Sequence, residues 1–195
     1  MAKTIGITGG IGVGKTTVCQ IFKTLGVPVF NADDTAKQIV NTDPILKENI
    51  IQLLGNEAYT PIGYDRKYVA KKVFNDKNLL QKLNNLIHPQ VRIMAKKWIE
   101  KQETDSYSLY EAAIMKEADK GDFFDKIIVI TSPLTLRIER IKARDNRTSE
   151  EILAIISNQM SEEDRIKMAD YLIVNNESES LIRQVLAIDA QLKKN

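Results

Sequence analysis

The sequence predicts an α/β fold, because short buried strands alternate along the chain with amphipathic helices. Five short segments are apolar and rich in β-branched or aromatic residues, the pattern of a buried strand: residues 4–8, 27–30, 107–111, 126–131 and 170–174. Between the first two, apolar residues at helical spacing run from Lys15 to about Leu25, and Gly26 follows as a helix stop. A strand, a helix and a second strand in that order begin an α/β sheet.

A long helical stretch, residues 34–103, separates the second strand from the third and predicts an inserted subdomain. Its helices are marked by apolar spacing and by stop or capping residues: a stop at Gly55, an N-cap at Asp65 with a helix through Phe74, a helix closed by His88 and Pro89, and a helix over about 90–100. After the fourth strand, Ser132 is expected to cap a helix that begins with Pro133. Ser149 predicts another helix start, and a closing helix covers about 178–192.

Composition limits the classes of function. The 28 basic residues are nearly balanced by 26 acidic ones, so the charge of +2 gives no electrostatic case for nucleic acid or a membrane surface. The single cysteine, Cys19, can form neither an internal disulfide nor a cysteine-based zinc site, and its apolar helical position indicates a core residue. No apolar run approaches the roughly 18 residues of a membrane-spanning helix. We therefore expect a soluble protein of a reducing compartment, the cytoplasm.

A phosphate-binding loop follows the first strand. Residues 9–16 read Gly-Gly-Ile-Gly-Val-Gly-Lys-Thr and match the pattern G-x-x-x-x-G-K-[ST]. Glycines let backbone N–H groups turn toward a triphosphate, and the N-terminus of the following helix adds positive potential. The Lys15 ammonium is expected to reach the β- and γ-phosphates, and the Thr16 hydroxyl to ligate Mg²⁺. The position between a predicted strand and a predicted helix favours this function over a chance glycine-rich turn.

Three classes of P-loop protein share such a loop: small-molecule kinases, GTPase switches, and ATPases that drive motion or transport. The sequence has neither the N-K-x-D and D-x-x-G patterns of a GTPase nor an L-S-G-G-Q-like transporter signature. The chain is also short for an ATPase core with a separate effector domain. A kinase is favoured by Asp33, just beyond the second strand, and by the arginines that follow the fourth.

Asp33 and these arginines are the candidate catalytic residues. A carboxylate beyond a strand end can accept the proton of an acceptor hydroxyl, although the same residue type commonly caps a helix. Four arginines, spaced by three, four and three, fall near one face of a continuous helix: Arg137, Arg140, Arg144 and Arg147. Guanidinium groups there can stabilise the charge of phosphoryl transfer, and a change from helix to loop near Asp145 and Asn146 indicates a mobile lid. The alternative, which stays open, is a solvated face that pairs with Glu139 and Asp145.

Three other polar residues also have more than one interpretation. Glu111 ends an apolar strand and either holds a Mg²⁺-bound water, orients the acceptor or pairs with a lid arginine. His88, the one histidine, is expected first to end a helix and second to contact a substrate. Arg66 is a surface charge unless it faces the cleft.

A series of short segments in fixed order is more specific than the loop, which many kinases share. These are residues 5–17, 26–33, 65–66, 73–74, 88–89, 140, 144–145, 159 and 169–175. On them, over nearly the whole chain, the sequence resembles the dephospho-CoA kinase family.

The resemblance implies one kinase domain of the P-loop NTPase type, a three-layer α/β/α core with a five-stranded parallel sheet. The core would cover about 1–33, 104–136 and 169–195, a CoA-binding helical subdomain about 34–103, and a lid about 137–168. ATP would phosphorylate the ribose 3′-hydroxyl of dephospho-CoA, with Mg²⁺, in the last step of coenzyme A biosynthesis. The partners would be these two substrates only, for a monomer or weak homo-oligomer. The alternatives are another nucleotide or small-metabolite kinase, or a nucleotide-binding regulator with little turnover.

The resemblance also implies roles for individual residues. Asp33 takes the general-base position and Arg140 the transition-state position in the lid, and Lys15 completes the catalytic set. ATP would be bound by the loop and two later residues: Gly12, Val13, Gly14, Lys15, Thr16, Thr17, Arg144 and Asn175. The acceptor would be bound by Asp33, Arg66, His88 and Glu111, and Glu111 would also reach Mg²⁺ through water.

Two positions depart from the family pattern. Asn31 stands where the family often has Asp, and Lys116 stands where an apolar or aromatic residue is expected. The acceptor pocket is therefore expected to differ in detail.

Overall fold

The structure, a computed structural model, describes residues 3–74, 76–102, 107–113, 115 and 121–194. The strands in these residues are β1 (Lys3–Gly9), β2 (Val29–Asn31), β3 (Tyr59–Thr60), β4 (Gly63–Tyr64), β5 (Tyr107–Glu111), β6 (Lys126–Thr131) and β7 (Tyr171–Val174). The helices are α1 (Lys15–Thr24), α2 (Ala32–Thr42), α3 (Pro44–Leu54), α4 (Arg66–Val73), α5 (Lys77–Glu100), α6 (Leu134–Asp145), α7 (Ser149–Ser157), α8 (Glu162–Lys167) and α9 (Leu181–Lys194). None of them has the length and apolar character to cross a lipid bilayer.

The main sheet has five strands in the order β2-β5-β1-β6-β7, and all of its neighbours are parallel. This confirms the predicted α/β fold with a five-stranded parallel sheet. Because the strands are parallel, their carboxyl ends meet at one edge, where ligands bind in open α/β sheets. The loop after β1 lies at that edge, and Asn31 at the end of β2 lies opposite Glu111 at the end of β5.

The alternation of side chains along β1 forms the two faces of the sheet. Ile5 and Ile7 are fully buried in a core cluster that also contains apolar residues of α1 and α9. The opposite face is packed closely at Gly6, where an added Cβ would lie 3.0 Å from Met115 Sδ and 3.2 Å from the Phe124 ring. The sheet is thus covered on both faces.

The chain divides into two compact units. The first is Ala32–Glu100, and the second contains the rest of the described residues. In the first unit, α2, α3 and α5 pack together, and α3 buries Leu46, Ile50 and Leu54. Gly55 ends α3, and the Asp65 side chain caps α4 by accepting the Tyr68 N–H at 3.0 Å. The sequence pattern missed the hairpin of β3 and β4.

Two expected helix boundaries are wrong. His88 and Pro89 do not end a helix, because α5 continues through Pro89. Its buried Leu83, Val91 and Ala95 are separated by multiples of four residues, so one apolar face continues past the proline.

Ser132 does not cap α6, which begins at Leu134 after Pro133. The Ser132 hydroxyl donates instead to the Asn175 carbonyl at 2.8 Å, beyond the end of β7. A long-range contact has replaced the expected local one.

Candidate active site

The phosphate-binding loop needs glycine where it meets α1. Gly14 has a φ of 92°, in the left-handed region, and directly precedes the first helical residue, Lys15. An added Cβ at Gly14 would lie 2.5 Å from the Asn175 amide nitrogen. The same amide donates to the Val13 carbonyl at 2.8 Å. The end of β7 therefore contacts the loop directly.

The first three residues of α1 have polar side chains. Lys15 Nζ donates to the Gly9 carbonyl at 3.0 Å, across the loop. Thr16 and Thr17 are exposed in the first turn, where free N–H groups and the helix dipole favour an anion. Thr16 has no hydrogen-bond partner among the described residues, so its hydroxyl is available to a ligand.

A metal ion fits this site only together with phosphates. No group of three or more His, Cys, Asp or Glu side chains among the described residues could hold a metal ion. Mg²⁺ in kinases characteristically uses few protein ligands, substrate phosphates and water. The Thr16 hydroxyl is a suitable ligand of that kind.

Arg140 joins the loop to the ends of two strands. One guanidinium nitrogen donates to Ser132 Oγ at 3.1 Å and lies 3.5 Å from the Gly12 carbonyl. The other donates to Asn175 Oδ1 at 3.3 Å and to Glu177 at 3.0 Å. Arg140 and Asn175, both predicted site residues, are thus brought together with the loop.

Sequence reasoning assigned no individual role to the charges behind the loop. Arg137 and Arg165 are only 5% and 3% exposed, and both donate to Glu162 Oε2, at 3.4 and 2.9 Å. Burial lowers the pKa of Arg137, and the Glu162 carboxylate opposes that shift. Gly10 packs against the Arg137 guanidinium, which leaves no room for a side chain. The sequence spacing of the arginines could not predict that Arg137 is buried, because it grouped Arg137 with arginines that are more exposed.

Arg144 and Arg147 are not brought to the loop. Arg144 Nε donates to Asp145 at 2.7 Å, and this hydrogen bond raises the pKa of the guanidinium. Since α6 ends at Asp145 and Asn146 has a φ of 52°, Arg147 lies beyond the helix. The helix ends at the change from helix to loop expected near Asp145 and Asn146. The open alternative of pairing with Asp145 describes Arg144.

Glu111 is a buried carboxylate, 7% exposed, at the end of β5. Asn31 Nδ2 donates to its Oε2 at 2.9 Å. Burial, followed by Glu111, raises the pKa of Cys19 well above the usual thiol range. Cys19 is 2% exposed, which confirms that it belongs to the core.

The remaining predicted residues lie in the helical unit. Asp33 is exposed at the second position of α2 and makes no hydrogen bond with a described residue, so the helix-capping interpretation is wrong. Arg66 is the exposed first residue of α4, and His88 is exposed within α5. Lys116 lies outside the described residues.

Comparison with known proteins identifies the family. Residues 3–181 match the family model described as dephospho-CoA kinase. The chain belongs to the dephospho-CoA kinase family. A dephospho-CoA kinase of Bacteroides fragilis is 35% identical over 192 residues, which cover 98% of this chain and 94% of the relative. The family assignment makes the chain a kinase, which is a transferase, and the P-loop provides its nucleotide-binding side.

Two solved structures have the same fold. One, of a Thermus thermophilus protein, aligns with a TM-score of 0.85 and 30% identity over 98% of each chain. The other is the dephospho-CoA kinase of Campylobacter jejuni, with a TM-score of 0.70 and 26% identity over 100% of this chain and 98% of that one.

Proposed function

We propose that this chain transfers the γ-phosphoryl group of ATP to the ribose 3′-hydroxyl of dephospho-CoA and so completes coenzyme A synthesis in the cytoplasm. The observation that carries the proposal is the family match over residues 3–181, in a chain whose P-loop has the required geometry. CoA and ADP are the products. The bond from the γ-phosphorus to the bridging oxygen of ADP breaks as the bond to the ribose oxygen forms.

The loop and α1 bind the triphosphate. Backbone N–H groups of residues 12–17 surround the β-phosphate, and Lys15 exchanges its Gly9 contact for the β- and γ-phosphates. Thr16 would hold Mg²⁺, which neutralises charge on the phosphate oxygens when bound. Asn175 keeps the loop in place through the Val13 carbonyl and, by this link, supports ATP binding.

The acceptor side is assigned to Asp33 and Arg140. Asp33 accepts the proton of the 3′-hydroxyl, a role supported by its exposed carboxylate and the absence of a capping bond to any described residue. Arg140 stabilises the equatorial oxygens of the transferring group with its planar fork. Arg66, His88 and Glu111 bind dephospho-CoA, and Arg144 binds ATP once it leaves Asp145. Glu111 would also hold Mg²⁺ through a water molecule.

A coupled assay of ADP release tests the function. The purified chain is given MgATP with dephospho-CoA, a nucleoside monophosphate, shikimate or no acceptor, and the product is identified by mass spectrometry. We expect turnover with dephospho-CoA alone, a product heavier by one phosphate, and loss of turnover in Lys15→Ala. Faster turnover with another acceptor would assign a different kinase activity, acceptor-independent release would indicate an ATPase, and no turnover would indicate a regulator.

A further inference from the structure

One residue of the P-loop, Ile11, is held through both of its backbone polar groups. The Ile11 N–H donates to Gln159 Oε1 at 3.0 Å, and the Ile11 carbonyl accepts from Arg137 Nε at 2.9 Å. Arg137 lies in the first turn of α6, and Gln159 follows α7, so the two contacts come from different segments of the chain. The main chain of the loop is therefore fixed by side chains outside it.

The side chain of Arg137 is itself held rigidly. Glu162 Oε2 accepts from Arg137 and from Arg165, whose other nitrogen donates to the Met160 carbonyl at 2.9 Å. Both guanidinium groups are buried, and moving either one would leave a buried charge with fewer partners. Arg137 is thus a fixed donor for the Ile11 carbonyl.

We propose that Arg137 and Gln159 are positioning residues that fix the P-loop at Ile11 in the conformation that receives phosphate, with Glu162 orienting Arg137. This inference rests on the proposed ATP-dependent function. A cradle of backbone N–H groups binds an anion best when its conformation is set beforehand, because binding then does not have to order the loop. Neither residue needs to touch the nucleotide for this role.

The role predicts coupled effects on ATP binding. Full-length Gln159→Leu and Arg137→Met would each raise the Kd for MgATP, measured by calorimetry without acceptor, about 3- to 10-fold, the usual worth of one hydrogen bond. The double variant would raise Kd by less than the product of the single effects, because both changes release the backbone of the same residue, Ile11. The matched controls Gln191→Leu and Arg183→Met, at exposed positions of α9, would leave Kd unchanged.

Hydrogen exchange at the Ile11 amide separates positioning from general stability. Gln159→Leu should lose protection at this amide while the melting temperature stays near wild type, and Gln159→Glu, which keeps an oxygen acceptor, should restore protection. A lowered melting temperature with unchanged Kd would overturn the proposal in favour of a purely structural contact. Multiplicative effects in the double variant would overturn it in favour of direct binding of phosphate by Arg137.

The remaining outcomes separate failure of the positioning role from failure of the proposed reaction. If Arg137→Met fails to fold, the Kd and Ile11 protection of Gln159→Leu decide alone. A wild-type chain that binds ATP but forms no CoA would contradict the proposed reaction and leave the positioning role standing, since its test uses no acceptor. A wild-type chain that binds no ATP would overturn both.

Discussion

The Asn31 side-chain amide donates to the Glu111 carboxylate at 2.9 Å, across the ends of the neighbouring strands β2 and β5. Glu111 is 7% exposed, so this neutral donor lies against a buried carboxylate. An aspartate at position 31, which the family resemblance leads one to expect, would place a second carboxylate against it. Asparagine at position 31 therefore gives the buried glutamate on the adjacent strand an uncharged hydrogen-bond donor in place of a second negative charge.

Asn31→Asp is expected to make stability depend on pH. One of the two facing carboxyl groups must stay protonated, so its pKa in the folded variant rises above the unfolded value of about 4. The variant would approach wild-type stability below that pH and lose about 1–3 kcal/mol as the pH rises toward 8. Thermal unfolding from pH 4 to 8 measures this. As a control, Asn31→Ala should lower the free energy of unfolding by an amount that does not depend on pH. Adding Glu111→Gln to Asn31→Asp should remove the pH dependence of stability. A stability of Asn31→Asp that does not change with pH would contradict the prediction.

Asp33→Asn is expected to lower kcat with dephospho-CoA by roughly 10²–10⁴, the usual worth of a positioned base. A loose transition state places the loss toward the low end of this range. ATP affinity and melting temperature should hardly change, since Asp33 is exposed and caps no helix in the part of the chain that the structure describes. Steady-state kinetics measures kcat, and calorimetry measures the ATP affinity and the melting temperature. Asp34→Asn, which alters the neighbouring surface pair with Lys37, is the matched control and should keep its kcat. Wild-type kcat in Asp33→Asn would remove Asp33 from the mechanism.

Arg140→Lys is expected to lose most activity although it keeps the charge. A single ammonium cannot replace the two guanidinium nitrogens that meet Ser132 and Asn175, nor spread charge over planar phosphate oxygens. Loss of such an arginine costs about 10³-fold or more in kcat. Kinetics of Arg140→Lys beside Arg183→Lys, an exposed control on α9, measures the effect. Equal kcat values would show that only positive charge is needed at position 140.

The segment 146–157 is expected to be the mobile part of the lid. On its N-terminal side α6 is bound to the loop through Arg137, and on its C-terminal side Gln159 is bound to Ile11. Closure must exclude water from the transferring group, which requires motion between these contacts. Limited trypsin digestion should cut near Arg147 in the free protein and more slowly with an ATP analogue and dephospho-CoA. Cleavage at the same rate in both states would argue against a lid.

Cys19 is expected to resist thiol reagents in the folded protein. It is 2% exposed, and burial together with Glu111 raises the pKa of its thiol, so the reactive thiolate does not form as pH rises through the ordinary range near 8.5. Labelling with a disulfide reagent at pH 7 and pH 9 should be slow in the native chain and fast in denaturant. Rapid native labelling at pH 9 would show that the thiol ionises in the fold. Because the unfolded thiol ionises first, this group lowers stability as pH rises above about 9.

Patterns that depend on neighbours in the chain were readable from the sequence alone. Alternating and continuous apolar runs predicted β5 and β6 at the bounds observed, because a buried strand needs apolar side chains on both faces. The glycines and Lys15 predicted the P-loop, since the conformation of that loop follows from local backbone freedom. The order of short segments was sufficient to indicate the family, which the comparisons confirmed.

Tertiary structure alone decided where long side chains point. Arg137 and Arg144 share a helix and a spacing, yet one is buried against the P-loop and the other pairs with Asp145. The sequence made Ser132 a plausible helix cap, but in the fold its hydroxyl donates to the Asn175 carbonyl instead. The partners of Arg137 and Ser132 lie 126 and 43 residues away in the chain, and a side chain adopts the contact that best satisfies its buried polar atoms. Spacing along one helix specifies a face, whereas the fold determines what that face meets.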